Sequence, residues 1–125
     1  MFPHRKPNKV DQDLTDALGF VLETWKIELP FGWRLYVTDT VRGRTRYDRK
    51  DITVPKWAFN TDKIGYEIYY ACHEIAHILA PAKKGNHHGA EFMAAFKKIC
   101  PVEFQHYELG YKPRLAKAAG IRRPK

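Results

Sequence analysis

The run His73-Glu74-Ile75-Ala76-His77 carries the strongest chemical signal in the chain. Residues four apart on an α-helix lie on one face, so imidazoles at 73 and 77 can aim at a single ion. Zinc accepts neutral imidazole nitrogen at about 2.0–2.1 Å and favours four ligands, one of them a water where the site is catalytic. Glu74 lies about 100° round the helix from His73 and about 60° from His77. From there its carboxylate reaches a water at the metal without displacing a ligand, takes its proton and passes it to a leaving amine. The pattern is His-Glu-x-x-His. It implies metal-assisted hydrolysis of a peptide bond, with Zn2+ as cofactor and a protein or peptide as substrate.

A third protein ligand is needed. A histidine six residues after His77 would mark the metzincin class, but position 83 is Lys83. Further on stands His87-His88-Gly89-Ala90-Glu91-Phe92, with ten residues between His77 and His88. That gap lets the chain leave the helix, turn at Pro81 and Gly85, and return to the metal. His88 is the expected third ligand, with His87 and Glu91 as the alternatives. If His88 ligates, Glu91 one turn later can orient it or cap the next helix. Tyr66, Tyr70, Tyr107 and Tyr111 are candidate hydrogen-bond donors to an oxyanion.

The elements that must position these residues read as follows. Leu14, Leu18, Val21, Leu22, Trp25 and Leu29 recur at helical steps, predicting a helix from Val10 to Leu29, capped by Asp11 or Asp13 and stopped by Pro30. Strands are expected over Trp33–Thr38 and Thr45–Tyr47, with a third extended piece over Asp51–Phe59, where Pro55 marks a sheet edge and Ile52 to Trp57 is open to an extended substrate. The active-site helix runs from Gly65 to Leu79. Its core arc would be Ile68, Ala71, Cys72, Ile75, Ile78 and Leu79, with His73, His77, Tyr66 and Tyr70 opposite. A third helix starts near His87 or His88 and ends at Ile99. A short strand is expected over Glu103–Tyr107. The fold class is α+β: a small antiparallel sheet with an N-terminal helix, the active-site helix and a third helix carrying the last zinc ligand.

With these elements in place, the residues resemble a known group. His73-Glu74-Ile75-Ala76-His77, a ten-residue gap and His88-Gly89-x-x-Phe92 look like the SprT-like (Spartan-like) minimal zincin metallopeptidases. The resemblance covers roughly Trp33 to Phe96. It implies a compact zincin-like fold, zinc ligands His73, His77 and His88, and Glu74 as catalytic base. It also implies a link to DNA, since several members act on DNA-bound proteins. This chain lacks the four-cysteine zinc ribbon that some members append.

The 125 residues fit one domain, 1–125, with a basic tail over about 112–125; 44% hydrophobic content is enough for a core. The net charge is +8, and Arg42 to Lys50 holds five bases and one acid. Such segments can track a phosphate backbone or form a solvated surface. No apolar run is long enough to span a bilayer and no leader is evident, so a cytoplasmic protein without a membrane partner is expected. Cys72 and Cys100 read as reduced, buried thiols. Two rivals share the same residues. One is a non-enzymatic nucleic-acid-binding module with a structural zinc site; the other is a hydrolase of small amides.

Overall fold

The structure is a computed structural model that describes residues 6–81, 88–110 and 120. Helix α1 spans Gln12–Thr24. Asp11 caps it, accepting from the Leu14 N–H at 3.0 Å. That bond, with Lys56 beside it, holds the Asp11 carboxyl below its usual pKa. The helix ends five residues before the expected Leu29. Lys26 takes a left-handed φ of 58°, Lys26 N–H reaches back to Glu23 O, and Ile27 N–H to Leu22 O. This paired closure of the last turn is normally signalled by glycine. A lysine in that role leaves no mark in the sequence.

Three strands follow: β1 Arg34–Thr38, β2 Arg44–Arg46 and β3 Asp51–Pro55. Their order is β1-β3-β2, parallel between β1 and β3 and antiparallel between β2 and β3. The expected all-antiparallel sheet is therefore a mixed one. The chain leaves β1 through the segment 39–43, forms β2, and turns back so that β3 enters between the two. The expectation that the Ile52–Pro55 strand is an open edge fails with it, for β3 is central and buried throughout. Pro55 is tolerated because β2 pairing stops at Arg44 opposite Thr53, short of the proline.

After β3 a short 3-10 helix, Lys56–Phe59, replaces the expected extended continuation. Helix α2 spans Tyr66–Leu79 and helix α3 spans Ala90–Ile99. Residues Val102–Gly110 form a second 3-10 helix where a strand was expected. Val37, Ile52 and Val54 of the sheet join Leu18 and Leu22 of α1, Ile68 and Ile75 of α2, and Phe92 and Phe96 of α3 in one buried cluster.

Helix α2 is not two-sided as its wheel suggested. Every residue from Tyr66 to Ala76 except Glu67 is buried, whereas Leu79, placed on the core arc, is 50% exposed. A helix apolar nearly all round is a central one, and only Glu67 and Glu74 carry charge in that stretch. No helix among the described residues is long and apolar enough to cross a membrane.

Candidate metal centre

Helix α2 places His73 and His77 one turn apart, their ring centroids 5.1 Å from each other. His88 arrives from the turn just before α3, behind the N-cap Gly89. One ring nitrogen from each of His73, His77 and His88 falls within 4.8 Å of the others, a set that can hold a metal ion. The Nε2 atoms of His73 and His88 are 3.2 Å apart. Two zinc ligands at tetrahedral positions sit about 3.3 Å apart, given bond lengths of about 2.0–2.1 Å. The separation of this pair is that of two ligands of such an ion, and the three residues together can hold a metal ion.

Phe92 forms the apolar backing. Its ring lies 5.0 Å from His73, 4.6 Å from His77 and 5.0 Å from His88 by centroids, and the residue is buried. The anchor of α3 and the wall of the cluster are thus one side chain.

Glu74 is buried next to the cluster. Burial pushes its pKa up, opposed by His73 and by a hydrogen bond from Thr45, with Glu108 adding to the rise. The Thr45 hydroxyl lies 2.9 Å from Glu74 Oε2 and 3.1 Å from Glu74 O. Thr45 belongs to a period-two pattern along β2 and its ends. Gly43 N–H donates to the Tyr70 hydroxyl at 2.9 Å, and the Tyr47 hydroxyl donates to His77 O at 2.7 Å. Alternate residues of one short strand thus hold successive turns of α2. At Gly43 no side chain fits, because a Cβ would strike Thr53 O and the Tyr70 ring.

The intervening residues Arg42, Arg44 and Arg46 line a second hollow of about 420 Å³, with Thr38, Thr40 and Thr53, and Arg42 also borders the cleft over the histidines. Arg46 is engaged there by Asp51, Nε to Oδ1 and Nη2 to Oδ2 both at 2.6 Å, and Asp51 is fully buried. Arg42 and Arg44 are exposed, and their side chains make no ion pair with a described residue.

An open cleft of about 540 Å³ runs over the histidines, walled by Trp57, Tyr69, Tyr70 and the segment Val41–Gly43. No family profile, curated protein or solved structure matches this chain. The site stands on its own geometry.

The expected residues separate clearly. His73, His77, His88 and Glu74 line the cleft together. Glu91 lies exposed on the first turn of α3 and does not join the cluster, because its side chain points off the face that Phe92 buries. His87 and Tyr111 lie outside the described residues, as does most of the basic tail. Of the tyrosines, Tyr70 lines the cleft, Tyr66 is not among its walls, and the Tyr107 hydroxyl donates to Ile64 O at 2.7 Å. Cys72 and Cys100 are free and buried, as expected. The adjoining Cys72 thiol and burial hold the Cys100 thiol far above its usual pKa.

One polar residue at the site was missed. Glu108, fully buried on the second 3-10 helix, accepts from His73 Nδ1 at 2.6 Å and from the Tyr69 hydroxyl at 3.1 Å. Its only sequence signal is a lone acid between Tyr107 and Leu109.

Proposed function

We propose that this chain is a zinc-dependent metallopeptidase of the SprT-like kind that its motifs resemble, hydrolysing peptide bonds of protein substrates. The observation that carries this reading is the meeting of three imidazole nitrogens beside a buried carboxylate in an open cleft. His73, His77 and His88 would hold the ion. Zinc bound there supplies Lewis-acid polarisation of the scissile carbonyl and a readily ionised water.

The chain's own residues do the rest. Glu74, steadied by Thr45, takes the proton of the attacking water and returns it to the leaving amine. The half-exposed Trp57 offers an aromatic wall to substrate side chains at the cleft. A structural zinc site would call for a fourth protein ligand, and the described residues bring three together. The enzyme reading takes the fourth position to be open to water. A separate DNA contact falls to the face bearing Arg42 and Arg44, which are exposed and make no ion pair with a described residue.

The test is Glu74→Gln. It retains zinc and fold and loses proteolysis of labelled, denatured casein by about a thousandfold, because an amide cannot take the proton. A Glu74→Gln protein that cleaves casein as fast as the parent overturns the assignment.

A further inference from the structure

We propose that Glu108 is a positioning residue for the metal centre, holding His73 in the tautomer and orientation that a metal ligand needs. The inference rests on the metal reading above and adds a residue from the far end of the described chain.

The first ground is the state of the carboxylate. Glu108 Oε1 is shared between His73 Nδ1 at 2.6 Å and the Tyr69 hydroxyl at 3.1 Å. Oε2 is buried and has no partner among the described residues. Burying a carboxylate with one oxygen unsatisfied is strongly unfavourable. If Glu108 only filled space and braced Tyr69, an amide or an apolar side chain of the same volume would serve the fold better.

The second ground is the way the carboxylate is delivered. The Gln105 amide donates to Lys97 O at 2.9 Å and to Cys100 O at 2.8 Å, tying the second 3-10 helix to the end of α3. Phe104 packs edge-on against Trp25 at 5.3 Å and fills the space that Gly65, at φ 76°, leaves by lacking a Cβ. Tyr107 bonds Ile64 O just before α2. The segment is held at three of the four residues just before Glu108, so the carboxylate meets His73 in one place.

The third ground is chemical. A carboxylate on Nδ1 makes that nitrogen the N–H donor and leaves the Nε2 lone pair facing His88 and the cluster. It also makes the imidazole a stronger base. His73 is the histidine at which the metal set and the buried acid meet, so the orientation of the whole set depends on this contact.

The experiment measures zinc affinity by chelator competition and melting of the metal-free protein, for the parent, His73→Ala, Glu108→Gln and Glu108→Met. Glu108→Gln keeps a neutral acceptor and weakens zinc binding by about tenfold; Glu108→Met keeps none and weakens it by about a hundredfold. Metal-free melting stays level or rises in both, because a buried carboxylate with one oxygen lacking a partner among the described residues is gone. The visible spectrum of the cobalt-loaded Glu108→Met protein shifts from that of the parent. A Glu108 that is only structural gives the opposite signature, lower metal-free melting with zinc affinity retained, and overturns the proposal. So does failure of both variants to fold. If the parent binds no zinc, or His73→Ala binds it equally well, the metal reading itself is wrong. Parent binding that depends on His73, with both Glu108 variants as tight as the parent, removes only the role of Glu108.

Discussion

The two faces of β2 place opposite kinds of residue a few ångströms apart. Toward α2, Gly43, Thr45 and Tyr47 each form a hydrogen bond with a particular atom of the site helix. Away from it, Arg42 and Arg44 line a hollow and make no ion pair with a described residue, whereas Arg46 is tied down by the buried Asp51. A side chain held from another element in a buried setting has one geometry to offer, which hydrolysis needs. A guanidinium on a long exposed stem has many, which suffices for a phosphate backbone. On the proposed reading, the first face serves the chemistry of the site and the second serves attraction.

The largest effect that would break this division is at the ligand set. His88→Ala should lower zinc affinity by more than about a hundredfold, beyond what loss of a supporting residue produces, whereas exposed Glu91→Ala leaves it unchanged. Chelator competition decides it, and the reverse result would move the protein to a glutamate-ligand site. A smaller effect sharpens the comparison on β2 itself. Thr45→Val removes the hydroxyl from Glu74 and should slow casein cleavage about tenfold, near 1.4 kcal/mol, at unchanged zinc content. Equal rates would mean that Glu74 needs no help from the strand.

The smallest effect lies on the other face. Replacing Arg42 and Arg44 together by alanine should leave stability within about 0.5 kcal/mol. Duplex DNA binding, measured over a series of salt concentrations, should weaken and lose about two units of its log-log salt slope. Binding with the parent slope, or none even in low salt, would return these arginines to ordinary solvated surface.

Much of the site could be read in advance because its cues are local. The spacing of His73 and His77, the turn at Pro81 and the Gly89–Phe92 start of α3 are all contained in a few residues, and they led to His88. Asp11 is a cap that any chain would use. What escaped the sequence depends on partners far along it. Strand order is decided by which side β3 enters, and nothing in Ile52–Pro55 records that. The end of α1 turns on Lys26 adopting a conformation that lysine rarely takes. Glu108 matters only because it meets His73, 35 residues earlier, and its own neighbourhood has neither helical nor strand periodicity. The wheel of α2 misled for a related reason, since an apolar stripe shows the first face to be covered and is silent on the second.

The contact between His73 and Glu108 also has a consequence in time. A chain emerging from the ribosome presents β2 first, then α2 with His73, Glu74 and His77, then His88, and Glu108 only afterwards. Until that last segment docks, the histidines exist on a helix whose buried polar groups lack their acid, and the loop to be closed is long enough to slow the step. A metal ion arriving early would meet a His73 not yet held by Glu108. On the proposed reading, metal capture in the nascent protein should therefore follow the docking of residues 102–110, making the last described element the first condition of its chemistry.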